Sequence, residues 1–240
     1  MSHRWLVLRL EAPLMAFGGI AVDHVRPIRA FPAASMITGL IGNALGWHWC
    51  DGGQHQGLQD RLVFAAYKKR DGFLLTDMQN AQLNRGDTGW TTRAASEQRG
   101  GAHRTYDSPH RRRREYLADE AVRLVLRLQR TGEPPTMETL AHALQCPARP
   151  LFVGRKTCLP SLPLLAPSPK CWVEASNAYS ALCLVASGDP SKARRRALWP
   201  LGEGPERGAQ VDRLVERADL RNWRIGVHGG SRRVVEGWVP

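Results

Sequence analysis

The chain has 240 residues, with 34 Lys and Arg against 22 Asp and Glu, a formal charge of +12 and 42% hydrophobic residues. At that length roughly 70–75% of the unfolded surface can be buried, so folding needs neither disulfides nor a metal. The balance of apolar and charged residues excludes a disordered tail, and a mean hydropathy of −0.37 excludes a membrane bundle.

Of the 34 basic residues 29 are Arg, and the five Lys are Lys68, Lys69, Lys156, Lys170 and Lys192. High-GC coding sequence combined with a solvated basic surface is one account of this ratio. A polyanionic partner is the other, since guanidinium groups fork onto phosphate and stack on bases. Composition does not choose between RNA, DNA and anionic lipid.

Trp5–Leu10 is an apolar strand interrupted by Arg9 and ended by Glu11-Ala12-Pro13, and the start of the chain is too short and too charged for a signal peptide. After a Gly- and Pro-punctuated loop, Ser35 stands as the expected N-cap of a helix whose Met36, Ile37, Leu40, Ile41, Ala44 and Leu45 recur at helical spacing. Its other side carries Ser35, Gly39, Gly42 and Gly46, a nearly bare strip that calls for close approach. Either tight packing on a sheet fills it, or a nucleic-acid backbone does so near the N-terminus, where free N–H groups favour phosphate. No charged residue occurs between Ala30 and Cys50, but the intervening Gly, Pro and polar residues argue against a membrane span.

Leu62–Tyr67 and Phe73–Asp77 read as a hairpin closed by Asp71-Gly72. From about 82 to 114 the apolar periodicity vanishes: eight Arg stand against Asp87, Glu97 and Asp107. Such a long excursion is functional or disordered. It interleaves Trp90, His103 and Tyr106 with Arg104 and the run Arg111, Arg112, Arg113, Arg114, the mixture of cations and rings that suits a nucleic-acid-inserting element, although four consecutive Arg also make a solvated face. Ala121–Leu128 lacks a clean alternation and fits helix or strand locally, the element order favouring strand; 136–146 is expected as a short amphipathic helix, and Leu151–Val153 as a strand at the centre of the sheet. It leads into Gly154-Arg155-Lys156, where Gly would admit a ligand backbone and the two cations would meet phosphates, unless the segment is only a turn.

The order β-α-β-β-(excursion)-β-α-β gives an α+β fold with a ferredoxin-like, modified RNA-recognition core over 1–165, a thumb-like insertion at about 82–114, and a small β-rich part over 166–240, with strands at Ala181–Ala186 and Trp223–Val227. Phosphate-loop, zinc-protease, nucleophile-elbow and dinucleotide motifs are missing. His103, Tyr106 and Lys68 leave a metal-independent ribonuclease open, and a structural RNA-docking protein remains a further alternative. The adjacent Asp119 and Glu120 would lie on opposite faces of a strand and make no metal pair. The five Cys include no CxxC, which fits reduced thiols in a cytoplasm without zinc. The charge of Arg194–Arg196 and Arg232-Arg233 has no account at this level.

Three blocks together, Arg26-Pro27 with Phe31–Gly46, Arg114–Asp119 and Phe152–Cys158, resemble the CasD family, a subunit of the type I-E CRISPR surveillance complex Cascade. The resemblance implies a noncatalytic, cofactor-free subunit of the RAMP superfamily that holds the 5′ handle of CRISPR RNA, caps the complex and packs against the backbone and large subunits, touching target DNA indirectly and no membrane. It carries over RNA binding to Arg26, Ser35, Gly154, Arg155 and Lys156, and nucleic-acid contacts to the thumb. Family members often have a basic residue and Thr where this chain has Ala33 and Ala34, so the contact at the helix start falls to backbone N–H groups, Ser35 and outlying arginines.

Overall fold

The computed structural model describes residues 2–19, 25–81, 89–90, 96–97, 110–189 and 193–240. In chain order its elements are β1 (His3–Glu11), β2 (Leu14–Met15), β3 (Val25–Arg26), α1 (Ala34–Ala44), α2 (Gly52–Arg61), β4 (Leu62–Arg70), β5 (Phe73–Ala81), β6 (Gly89–Trp90), β7 (Ser96–Glu97), β8 (His110–Ala118) and β9 (Ala121–Leu128). They continue with α3 (Met137–Gln145), β10 (Trp172–Ala175), α4 (Ala178–Ser187), β11 (Arg195–Pro200), β12 (Val211–Arg217), β13 (Arg221–Asn222), β14 (Val227–His228) and β15 (Arg232–Val239).

The main sheet has seven strands in the order β10-β1-β9-β4-β11-β15-β12, every neighbouring pair antiparallel. Its strands β1, β9 and β4 are apolar on both faces because both are covered. Leu6, Leu8 and Leu10 of β1 pack with Ile37, Leu40 and Ile41 of α1 and with Leu140 and Leu144 of α3, while Trp5 and Val7 point the other way and pack with Ala181 and Leu182 of α4. Each such leucine contributes about 1.5–3 kcal/mol on burial. Strands from 166–240 join the same sheet as β1, β4 and β9, so it runs across the boundary expected at 165. Among the described residues no helix is long and apolar enough to cross a membrane.

Several local expectations are corrected. Ser35 does not cap α1: Ala33 is the N-cap and makes no side-chain bond, and Ser35 lies inside the first turn. Ala181–Ala186 is helical, within α4, because its apolar residues Ala178, Ala181, Leu182 and Ala186 form one face and the Asn177 side chain accepts from Ser180 N at 2.8 Å as a true N-cap. Leu151–Val153 is not a strand. Val153 N donates to the Cys158 carbonyl (2.8 Å) and its own carbonyl accepts from Ala16 N (3.1 Å), which closes the segment as a loop. Trp223–Gly226 is the turn of the small β13–β14 hairpin, and only Val227 of the expected strand is extended. Helix α2 escapes the sequence reading because Gly52, Gly53, Gly57 and its glutamines carry no apolar period.

The expected hairpin between Leu62–Tyr67 and Phe73–Asp77 is also absent. β4 pairs with β9, and β5 pairs with β8, in a second sheet where β8 also bonds β2 and β3. The chain crosses from one sheet to the other at Asp71-Gly72 on the way out and at Asp119-Glu120 on the way back, with Arg70 opposite Ala121 and Phe73 opposite Ala118. Thus one long two-stranded ribbon leaves the core as an arm, its paired stem running from Phe73 to Ala118 and so longer than the expected 82–114. A Cβ at Gly72 would sit 2.1 Å from the Ala118 carbonyl oxygen, and Asp119 adopts φ 55°, so the corner is tight on both strands. Buried Glu120 meets Lys68 Nζ at 2.9 Å, and Arg70 bonds Asp119, which braces the bend. Burial pushes the Glu120 carboxyl up, against the opposing pull of Lys68.

Candidate nucleic-acid interface

A cleft of about 380 Å³ opens where four segments meet: the Phe17–Gly19 loop, the first two turns of α1, the loop at 152–155, and the β13–β14 hairpin. A second hollow of about 430 Å³ shares Gly18, Gly19, Ser35, Arg155 and His228 with it and extends the groove towards Arg29. Arg155 Nη1 donates to the Glu115 carbonyl at 2.8 Å, Arg221 Nη2 to the Gly226 carbonyl at 2.9 Å and Arg29 Nη2 to the Ala218 carbonyl at 2.9 Å. A carbonyl fixes a guanidinium without cancelling its charge, so the groove keeps three positioned cations with donors to spare. Partial desolvation, and then Arg221, hold His228 below its usual value. The groove's charge therefore rests on its arginines at neutral pH.

The start of α1, where the sequence points to a phosphate, is already occupied by the protein itself. Asp219 accepts from Ala34 N through Oδ2 (3.3 Å), and its carbonyl accepts from Ser35 N (3.0 Å). A carboxylate suits the positive end of the helix as well as a phosphate does. Asp219 is itself gripped by Arg232, at 3.0 and 3.2 Å from Nε, and by Arg217 at 3.3 Å, while Arg217 also reaches the carbonyls of Phe31 and Pro32. Two of the N–H groups that would carry a phosphate contact are thus engaged, and Ser35 lines the cleft while buried to 8% exposure.

Ser35, Gly154 and Arg155 come together around the groove, and Lys156 is exposed beside it. Glycine at 154 is required by the chain's own packing: at φ +100° a Cβ there would stand 1.9 Å from the Ala16 carbonyl oxygen. Arg26 lies in β3 opposite Arg114. Trp90 lies in β6, and His103, Arg104 and Tyr106 fall outside the described residues. Arg111 to Arg114 sit on β8, alternating between the two faces of the arm; Arg111 and Arg113 share one face, Arg112 and Arg114 the other.

The bare strip of α1 is filled from within. His55 of α2 occupies the space over Gly42, Trp223 touches Gly39, and Ala148 meets Gly46. His55 stacks on Trp223 with centroids 4.7 Å apart and meets Trp47 edge-on at 5.2 Å. Sequence reasoning missed Arg29, Arg221 and His228 because the segments that bring them to the groove lie far apart in the chain; the Arg221-Asn222-Trp223-Arg224 cluster of cations around a ring was the available signal. The C-terminal arginines find an account here. Arg195 is buried and bonds the Ala186 and Pro240 carbonyls, Arg194 lies over Trp238, and Arg232 lies over Phe64, so much of that charge is structural. Among the described residues no group of three or more His, Cys, Asp or Glu could hold a metal.

Residues 5–235 match the family described as CRISPR-associated protein (Cas_Cas5). The chain is 29% identical over 161 residues to the CRISPR system Cascade subunit CasD of Escherichia coli (strain K12), covering 67% of this chain and 69% of that one. It is similar in fold to a chain of a CRISPR RNA-guided surveillance complex (TM-score 0.66, 17% identity, 98% of this chain and 91% of that one). A crystal structure of a Cas protein is also similar (TM-score 0.61, 24% identity, 98% and 95%).

Proposed function

Because the chain belongs to the CRISPR-associated Cas5 family, we propose that it is a noncatalytic subunit of a Cascade-type RNA-guided surveillance complex and that its groove holds the 5′ handle of the CRISPR RNA. In this role it caps the assembly, packs against the backbone and large subunits, and works on target DNA indirectly. The observation that carries the reading is the groove with Arg29, Arg155 and Arg221 fixed around its rim, beside the base of an arm that bears Arg111–Arg114. Fixed guanidinium groups on a polar, partly enclosed floor suit a folded-back single strand, whose phosphates need cations and whose bases need walls.

Within the sheet, β10-β1-β9-β4 joined through α1, α2 and α3 supports a ferredoxin-like core, with β1 and β9 in the middle and the arm growing out of β4 and β9. The groove, lined by α1 and tied through Arg155 to Glu115, lies next to the base of that arm.

Handle-containing RNA is expected to bind more tightly than a scrambled RNA of equal length, with log K falling against log[salt] by about 2 for three phosphates at roughly 0.7 each. Equal affinity for both RNAs at moderate salt would overturn the handle assignment. Incubation with precursor RNA in EDTA is expected to leave it intact; cleavage would overturn the noncatalytic part.

A further inference from the structure

The β13–β14 hairpin that forms one wall of the groove has two residues in each strand and pairs only with itself, Arg221 with His228 and Asn222 with Val227. A ribbon this small does not hold its own place. Something else must fix it, and that is α2. Gln59, 7% exposed, donates from Nε2 to the Arg221 carbonyl (2.9 Å) and accepts through Oε1 from both Arg221 N (3.2 Å) and Trp223 Nε1 (3.0 Å). Gln56 accepts from Trp223 N at 3.0 Å, and His55 stacks beneath the Trp223 ring. The carboxamide of Gln59 therefore pairs with the backbone of Arg221 as a neighbouring strand would.

We infer that Gln59 is the positioning residue of the groove: it sets where the Arg221 guanidinium stands and so supplies one of the phosphate contacts without touching RNA. This rests on the reading of the groove as an RNA site. Arg221 lies 5.0 Å over the Trp223 ring and bonds the Gly226 carbonyl, yet its buried Nε has no partner among the described residues. Arg221 lines the groove with guanidinium donors to spare beyond the Gly226 bond, and a phosphate oxygen is an acceptor of the chemistry that suits them. Were the hairpin undocked, the orphaned N–H groups would turn to water and the guanidinium would leave the rim.

The test uses the full chain and a single-stranded RNA carrying the 5′ handle, with affinity measured across a salt series. Gln59→Met keeps volume, carries no charge and removes all three hydrogen bonds. It is expected to weaken binding roughly tenfold, the loss of one charge-assisted contact, and to lower the salt slope by about 0.7. Adding Arg221→Ala is expected to cost nothing further. A neutral side chain cannot lower the slope through its own charge, so that result reports on Arg221.

If Arg221→Ala weakens binding while Gln59→Met leaves affinity and slope unchanged, the inference fails and the groove reading stands. It also fails if Gln59→Met weakens binding with an unchanged slope and by the same factor in both backgrounds, the pattern of general destabilisation. If neither Arg155→Ala nor Arg221→Ala weakens binding, the groove reading itself fails. Should Gln59→Met not fold, Trp223→Phe, which keeps a ring on His55 and removes the Nε1 bond, carries the same comparison.

Discussion

The guanidinium carbon of Arg155 lies 4.6 Å from the centroid of the Tyr116 ring, and Nη1 of the same side chain bonds the carbonyl of the preceding residue, Glu115. One arginine thereby ties the 154–158 loop to the base of the arm and keeps its remaining donors for the groove. Arg155→Ala is expected to lower affinity for handle RNA by roughly tenfold or more, since a charge-assisted contact is worth about 1.5–3 kcal/mol. Arg155→Lys keeps the charge but loses the stack and the fork, so its affinity should fall between the two. Salt-series binding assays on the three proteins check the order.

The Asp219 carboxylate is fully buried and shared by the start of α1, Arg217 and Arg232. Removing it leaves two cations facing each other in a dry site. Asp219→Ala should cost about 3–5 kcal/mol, measured as a shift in the denaturant midpoint, and Asp219→Asn should cost less because an oxygen can still accept from Ala34 N.

Two glycines at the groove should answer differently. Gly154→Ala puts a methyl 1.9 Å from the Ala16 oxygen at a positive φ. It should destabilise the fold by about 1–3 kcal/mol or displace the loop. At Gly18 an added Cβ meets nothing within 4 Å, so Gly18→Ala should leave stability within about 0.5 kcal/mol. Thermal melts separate the two, and any loss of RNA binding by Gly18→Ala reports close approach of the ligand at that spot.

The alternation of β8 gives the arginine run two distinct halves. Arg112 and Arg114 share a face with Tyr116, over which Arg155 lies, whereas Arg111 and Arg113 face away, with Arg113 pairing to Glu115 at 3.4 Å. Replacing Arg112 and Arg114 with Ala should weaken handle binding more than replacing Arg111 and Arg113. Equal losses in a side-by-side titration would mean that the run acts as diffuse charge.

Stability should fall at alkaline pH. Burial, and then the hydrogen bond to Asp189, hold the Tyr67 hydroxyl well above its usual value of 10, and burial with Cys183 pushes Tyr179 to about 12. Below pH 10 both phenols are protonated whether the chain is folded or not. Above it the unfolded chain releases protons that the folded chain retains, so the stabilisation drains away as pH rises from 10 through 12. Denaturant midpoints between pH 8 and 11 should show the decline, and Tyr67→Phe should flatten it.

How far the sequence reveals all this depends on how local the cause is. β1 and α3 are legible because apolar pattern and boundaries are written in consecutive residues, and Thr136 accepts from Thr139 N at the start of α3; β9 fits helix or strand locally and is read as a strand only from its place in the element order. The run at Ala181–Ala186 fails because six apolar residues fit a helix or a strand equally well, and the capping Asn177 is the only local arbiter. Asp71-Gly72 is a genuine turn signal, yet it marks a corner between two sheets, since the partners of β4 lie 51 to 66 residues away in β9 and those of β5 lie 29 to 45 away in β8. The groove was half visible. Arg155 announces itself beside Gly154 and Lys156, but the filling of the α1 terminus by Asp219 and the docking of Arg221 by Gln59 join residues more than 150 positions apart, beyond the reach of any local pattern.

The pairing of Arg70 with Ala121 makes the arm separable. Everything from 71 to 120 enters and leaves through two residues that already face each other across the main sheet, so a short turn joining them would close β4 and β9 as an ordinary hairpin. The core strands lose no paired neighbour by this excision; the Lys68–Glu120 and Arg70–Asp119 braces, the β2 and β3 pairings, the packing of Tyr116 and Leu117 in the core and the contacts of Arg155 with Glu115 and Tyr116 go with it. Topologically the arm is an insertion in the β4–β9 hairpin, so its length and chemistry can be altered by design while the two strands beneath stay paired.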